Sequence, residues 1–307
     1  MKVFYSPRYE VSLPGHIWPT SKYRLIAGRL RPDSANGSSR PCLSAQVLVL
    51  VEPDEASWED LALVHTAEYL EKLRSNTLTP EDIATLELPW QPALAGAFRL
   101  MTGGTCGAAA AALVDGSAAH LGGGLHHAFA NHGEGFCPVN DVAVAIRVLQ
   151  RDLGVRRSAV VDCDVHHGNG TSMIFERDAD VFTFSIHQQL NYPFFKPRGD
   201  LDVGLEDGAG DERYLEALAA ALPRVLESRP EIVIYLAGAD PFEGDRLGGL
   251  KLTKAGLAAR DRLVIEAVRA AGVPLAVVLA GGYAANLEDT VDIHTSTVEA
   301  MIALKSA

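Results

Sequence analysis

The amino-acid sequence predicts a single α/β domain, residues 1–307, built on a central, mainly parallel β-sheet with helices on both faces. Three observations lead there. Short apolar runs recur without polar alternation, as expected of strands covered on both sides. Amphipathic segments of helical length lie between them. No internal repeat or low-complexity linker divides the 307 residues. Strands alternating with helices build a parallel sheet, and a chain of this length buries a sizeable core as one large domain.

Taken in order, the first strand is expected at 3–5, where the chain opens as Met1-Lys2-Val3-Phe4-Tyr5. A turn-rich loop is expected at 31–41, from Arg31-Pro32-Asp33-Ser34 to Arg40-Pro41, followed by a strand at 46–51. An amphipathic helix is expected at 92–114 and another at 140–153, where Val142, Ile146 and Leu149 recur at helical spacing. The next strand, at 158–162, contains Ser158-Ala159-Val160-Val161, and a further apolar run follows at 181–186. A helix at 212–227, a strand at 232–237, a helix at 254–271, a strand at 275–280 and a helix at 286–304 complete the alternation.

Composition narrows the function. Hydrophobic residues make up 48% and charged residues 21%, the balance of a globular chain. A net charge of −12 argues against nucleic acid, whose phosphates need a basic surface. It suits a cationic substrate, or simply solubility. Cys42, Cys106, Cys137 and Cys163 form no CxxC pair, which fits a reducing compartment and excludes a zinc ribbon. With no signal peptide in view and no apolar run of about 18 residues expected, the sequence reads as cytoplasmic and not membrane-bound.

The chemistry concentrates in Asp162-Cys163-Asp164-Val165-His166-His167-Gly168-Asn169-Gly170, at the C-terminal end of a predicted strand. That edge of a parallel sheet is where ligands bind. Asp164 and His166 are two apart, so an extended chain sends both side chains from one face. A carboxylate and an imidazole make two-thirds of an open zinc site, whose third ligand must come from elsewhere. Three more segments join scarce reactive residues to glycines where strands end. They are Gly122-Gly123-Gly124-Leu125-His126-His127 running on to Gly135-Phe136-Cys137, then Ala237-Gly238-Ala239-Asp240-Pro241, and Gly281-Gly282-Tyr283. Any one alone is ordinary turn or capping chemistry; four together are poorly explained by coincidence.

On these motifs the chain resembles the histone deacetylase family, which includes bacterial acetoin-utilisation proteins and acetylpolyamine amidohydrolases, from about residue 4 to the last helix. Pro14-Gly15-His16-Ile17-Trp18-Pro19, with Lys22-Tyr23-Arg24, resembles the opening loop of the class IV branch and its bacterial relatives. The resemblance implies an arginase/deacetylase-like fold and a zinc-dependent lysine deacetylase or deacylase. Asp164, His166 and Asp240 match the family's zinc ligands, and Tyr283 its transition-state tyrosine. His126 and His127 match its paired histidines. His127 would shuttle the proton, and His126 would be held by Asp162. Asn169 would partner His127, leaving it less basic than a carboxylate partner would. Potassium would bind beside the zinc through Asp162 and Ser185 side chains and the carbonyls of Asp164, His166 and Ile186, with a second site near Phe175, Asp178 and Val181. Gly135 and Phe136 would line the substrate tunnel. The opposite wall would come from Tyr192-Pro193-Phe194-Phe195, with Phe194 and Phe195 as the candidate contacts.

The expected partner is an acyl-lysine peptide or protein, or a small acylated amine, with no nucleic acid; oligomeric state is left open. The class IV-like loop raises long fatty acyl groups as substrates. An acetylpolyamine amidohydrolase and an inactive binding module are the alternatives. Arginase-like manganese chemistry would need more carboxylates than this locus offers. His65 is expected to pack or cap a helix, His187 to support the site, and His294 to lie on the last helix. His120 and His132 have no evident partner, and Cys137 has no base to make it a nucleophile. Gly103-Gly104-Thr105-Cys106-Gly107 lacks the lysine and spacing of a phosphate loop.

Overall fold

The computed structural model describes residues 1–31 and 48–305. The predicted loop beyond Arg31, Cys42, and residues 46 and 47 of the second predicted strand lie outside the described residues. The order is β1 (Lys2–Phe4), α1 (Lys22–Leu30), β2 (Val49–Val51), α2 (Trp58–Leu61), α3 (Ala67–Ser75), α4 (Pro80–Leu86), α5 (Pro92–Asp115) and β3 (Ser117–His120). It continues through α6 (Asp141–Leu153), β4 (Ser158–Asp162), α7 (Asn169–Phe175), β5 (Val181–Gln188) and β6 (Leu201–Leu205). The last elements are α8 (Asp211–Glu227), β7 (Ile232–Leu236), α9 (Lys254–Ala270), β8 (Leu275–Val278) and α10 (Leu287–Lys305).

Among the described residues the strands form one eight-stranded sheet, ordered β2-β1-β3-β8-β7-β4-β5-β6. Every neighbouring pair is parallel. The unbroken apolar runs have the expected cause. Ile232, Ile234 and Leu236 pack into the core formed with α5 and α6, whereas Val233 and Tyr235 pack into the core shared by α1, α8, α9 and α10. Both faces of β7 are therefore withdrawn from water, and each buried aliphatic side chain contributes about 1.5–3 kcal/mol.

Register sets the site. His120 of β3 pairs with Val278 of β8, Val278 with Leu236 of β7, and Leu236 with Asp162 of β4. These four adjacent strands end level, and the four motif-bearing segments leave their C-terminal ends side by side. Helix caps sharpen the exits: Asn140 accepts from the Ala143 amide at the start of α6, and Thr253 accepts from Gly256 at the start of α9.

One expectation needs correcting. Helix α5 is long and apolar enough, by length and composition, to cross a membrane. Here Leu94, Phe98, Leu100 and Met101 are buried in the protein, as is its alanine-rich second half from Ala108 to Ala112 apart from Ala110. Glycines, alanines and Arg99 kept this run from standing out in the sequence.

Candidate active site

The loop after β4 turns sharply rather than staying extended, and its own backbone holds the carboxylates. The Asp164 amide donates to Asp162 Oδ1 at 3.1 Å, the His166 amide to Asp164 Oδ1 at 3.0 Å, and the Val165 amide to Asp240 Oδ1 at 2.9 Å. The Gly281 amide, arriving from β8, donates to Asp164 Oδ2 at 2.9 Å. A side chain at position 281 is impossible without rearrangement, because a Cβ there would lie 2.0 Å from Asp240 Oδ2. Arg260 ties the two carboxylate loops from below, donating to the carbonyls of Gly238 at 2.5 Å and Cys163 at 3.3 Å.

Asp164, His166 and Asp240 each turn a ligand atom inward, all within 4.8 Å of one another, and all three residues are buried. Asp240 Oδ2 is buried without a hydrogen-bond partner. Burial, then the nearby Asp164 charge, raises Asp240 to about 7. Burial works against charging His166, but its hydrogen bond to Asp164 at 3.0 Å and the charges of Asp164 and Asp240 raise it to about 10. Two acids and an imidazole converging on an unpartnered oxygen call for a small cation. One nitrogen and two oxygen donors fit a catalytic zinc with positions left open.

The paired histidines stand beside this cluster. His126 Nδ1 donates to Asp162 Oδ2 at 2.6 Å, and the two Nε2 atoms of His126 and His127 lie 3.1 Å apart. Burial opposes charge on His126, yet Asp162 and Asp164 raise it to about 9. His127 is driven the other way, well below its ordinary value, by burial and by the charges of His126 and His166. Asp162 thus favours the charged form of one imidazole, and burial the neutral form of its neighbour. His127 Nδ1 meets Asn169 Oδ1 at 2.8 Å, the expected pairing.

Three features were not legible as site residues. Asp141 anchors the glycine segment: its carboxylate accepts from the amides of Gly124 at 3.1 Å and Leu125 at 2.7 Å, directly before His126. Thr105 donates to Asp141, His120 Nδ1 lies 3.0 Å from the Thr105 hydroxyl, and His120 Nε2 lies 2.9 Å from the Tyr9 hydroxyl. His120 therefore has partners, in a buried chain that supports the loop. Lys22 is fully buried, donating to the Ala280 carbonyl at 3.0 Å and lying 5.7 Å from the Tyr283 ring centroid. Burial lowers it to about 8 against the pull of Asp240, Asp164 and Asp245. A lysine inside an apolar helical pattern was the available signal.

A cavity of about 170 Å³ opens over the cluster, lined by His126, His127, Asp164, His166 and Tyr283 at the reactive end. Phe136, Trp18, Tyr192 and Glu87 also line it. Phe136 holds a left-handed backbone, φ +70°, and packs edge-on to Tyr283 with centroids 6.0 Å apart. Such a conformation is costly for a bulky residue and is found where position matters. Gly135 lies against His127 and Tyr192, leaving no room for a Cβ. Burial, then Asp164 and Asp240, holds the Tyr283 phenol well above its usual value, so it stays a donor.

The opposite wall corrects the sequence reading. Tyr192 lines the cavity, its ring 5.0 Å from that of His127, while Phe194 is 105% and Phe195 56% exposed and neither lines it. The backbone is pinned by Lys196, which donates to the carbonyls of Asn191 and Pro193 at 2.5 Å each, and this turn aims Tyr192 inward. Of the residues expected around potassium, Asp162 and Ser185 pair across β4 and β5, and Ser185 Oγ lies 3.0 Å from His187 Nδ1. Near Phe175 and Val181, Asp178 is ion-paired to Arg147 at 2.6 Å, so a cation there would compete with a guanidinium. His65 is structural: its Nδ1 donates to the Phe129 carbonyl at 3.0 Å and its Nε2 accepts from the Asn140 amide at 3.0 Å. His132 stacks on Phe129 and lies 3.5 Å from Glu134.

Residues 19–298 match the histone deacetylase domain. Similar proteins include an uncharacterized protein of Picosynechococcus, 42% identical over 95% of each chain. Histone deacetylase 2 of Arabidopsis thaliana is 31% identical over 92% of this chain and 74% of its own. A probable deacetylase of Methanothermobacter thermautotrophicus is 34% identical over 92% and 86%. Among solved structures, the HDA15 HD domain aligns with a TM-score of 0.77 at 26% identity, covering 100% of this chain and 92% of that one.

Proposed function

This chain belongs to the histone deacetylase family of the arginase/deacetylase superfamily, and on that premise we propose that it is a zinc-dependent deacylase hydrolysing the amide of N-ε-acyl-lysine. The observation that carries the reading is the cluster of Asp164, His166 and Asp240 at the reactive end of a cavity that Asp164 and His166 line together with His126, His127 and Tyr283. Asp164, His166 and Asp240 would hold a zinc ion, which would supply Lewis acidity toward a carbonyl and a water.

The chain's own groups do the rest. His127, neutral and lining the cavity, takes the proton of the attacking water and returns it to the departing amine. His126, kept cationic by Asp162, stabilises negative charge as it develops. The Tyr283 hydroxyl donates to the oxyanion, and a donor placed for that charge is typically worth about 3 kcal/mol. Trp18, Phe136 and Tyr192 supply an apolar sleeve for the lysine stem and exclude water from the reacting centre.

The cavity volume bears on acyl length. About 170 Å³ is close to the roughly 150 Å³ cavity that admits a benzene. The lysine stem takes up part of that space, so what remains favours acetyl or another short acyl group, and a long chain requires the walls to move. Potassium binding by Asp162, Ser185 and neighbouring carbonyls, and a cytoplasmic setting, are part of the same proposal. A second reading, hydrolysis of an acylated polyamine, is supported by the exposed Glu87 carboxylate lining the cavity, which suits a distal ammonium.

A panel of acetyl-, octanoyl- and myristoyl-lysine peptides with acetylated polyamines, assayed on zinc-loaded protein, tests both. Acetyl-lysine peptides should be turned over fastest. Preference for polyamines selects the second reading, and no hydrolysis of any member contradicts the proposal.

A further inference from the structure

We propose that Glu134 is a positioning residue for this reaction: its carboxylate fixes the amide of Asn169, and through it the tautomer that makes His127 a base. The inference rests on the hydrolase reading above. Asn169 Nδ2 donates to Glu134 Oε1 at 2.7 Å, and Asn169 Oδ1 lies 2.8 Å from His127 Nδ1. Asn169 is fully buried, so neither end of its amide has water as an alternative partner.

The logic is one of donors and acceptors. An ionised carboxylate only accepts, so the amide nitrogen of Asn169 must face Glu134. Its oxygen is then turned to His127, and because that oxygen only accepts, Nδ1 of His127 must carry the proton. A neutral imidazole protonated on Nδ1 has its lone pair on Nε2, the atom 3.1 Å from His126 Nε2. Reversing the Asn169 amide would favour a proton on Nε2 and remove the base. The second carboxylate of this relay thus acts across an amide rather than by touching the imidazole.

Glu134 is itself fixed. Tyr192 Oη donates to its Oε1 at 3.3 Å, and His132 Nε2 lies 3.5 Å from its Oε2. Its backbone exchanges hydrogen bonds with Cys137, at 3.1 Å from Glu134 N and 2.9 Å from Cys137 N. Burial alone would raise its carboxyl, but hydrogen bonds from His132, Asn169 and Tyr192 lower it, so the group is an anion. Nothing in this set is a ligand of the metal cluster.

The test is a double-mutant cycle on zinc-loaded protein with acetyl-lysine peptide. Glu134→Gln, which can present either nitrogen or oxygen to Asn169, should lower kcat about tenfold with KM within about twofold, the loss expected of one charge-assisted hydrogen bond. Asn169→Asp alone sets two carboxylates against each other and should also be impaired. Glu134→Gln with Asn169→Asp should recover activity above either single variant, because aspartate accepts from Nδ1 directly and glutamine donates to it. Long-range ¹H–¹⁵N NMR of His127 should show Nδ1–H in the parent and a mixed state in Glu134→Gln. Wild-type kcat in Glu134→Gln, multiplicative losses in the double variant, or an unchanged tautomer would each overturn the inference. A parent that hydrolyses no acyl-lysine or polyamine, yet shows the tautomer change, would overturn the hydrolase reading and leave the role of Glu134 standing.

Discussion

Tyr283 and Asp240 separate two kinds of dependence within one cavity. On the proposed mechanism the Tyr283 hydroxyl is needed only where negative charge develops. Tyr283→Phe should therefore lower kcat about 10²–10³-fold while zinc content stays near that of the parent, as steady-state kinetics with metal analysis would show. Equal loss of zinc would mean that the phenol shapes the metal site instead. The correction at the cavity wall has its own test. Phe194 is exposed and outside the cavity, so Phe194→Ser should change kcat/KM on a small acyl-lysine substrate by less than about twofold, as for surface substitutions generally. A large loss would return Phe194 to the substrate path. Which of four aromatic or proline neighbours turns inward depends on the Lys196 clamp on the turn, and no periodicity in a loop announces that. The metal-ligand trio and histidine pair were legible because their residue types are scarce and each follows a strand. Asp141, Lys22 and Glu134 were not, since a helix-initial aspartate, a lysine in a helical pattern and a loop glutamate have common structural explanations.

Strands were most legible where an unbroken run of large aliphatic residues marks them. β4 was read at its observed bounds, and β7 and β8 to within two residues of their ends, because both faces are covered and the runs are unbroken. β3 was missed. Its sequence, Ser117-Ala118-Ala119-His120, is short and small-residued, and it reads as the tail of the preceding alanine-rich helix. β6 was missed as an edge strand with alternating burial. Helices α1, α3 and α4 are short; α1 is defined by packing, burying Tyr23, Ile26, Ala27 and Leu30, while Thr66 and Thr79 accept from Tyr69 and Asp82 amides at the starts of α3 and α4. At this scale the β8 exit is the critical joint. Gly281→Ala puts a methyl against Asp240 and Asp164, so zinc affinity should fall at least about tenfold, in the range seen when groups that orient metal ligands are altered. Competition against a zinc-binding dye would measure it, and unchanged affinity would show that the loop yields freely.

For the molecule as a whole, buried histidines set the response to acid. Burial lowers His65 to about 4 and His120 to about 3. The unfolded chain takes up these protons below pH 6.5, whereas the fold does not until those lower values. Stability present above pH 6.5 is therefore lost as pH falls, by about 1.4 kcal/mol per unit for each group. In denaturant unfolding of chelated protein between pH 6.5 and 4, His65→Gln should make the dependence of stability on pH less positive than the parent's by one histidine's share; identical dependence in the two proteins would mean that His65 titrates alike in both states. The parallel sheet and its two helical layers were readable from the alternation of elements, but the level ending of β3, β8, β7 and β4 was not, because register is a property of paired strands. That alignment is what brings four separate motifs together around one candidate metal site. The most direct test is zinc stoichiometry and turnover measured together on parent, chelated and Asp240→Asn protein. The account predicts one zinc per active parent chain, loss of activity on chelation with recovery on adding zinc, and neither zinc nor turnover in Asp240→Asn. Full turnover without bound metal, or undiminished zinc and turnover in Asp240→Asn, would contradict it.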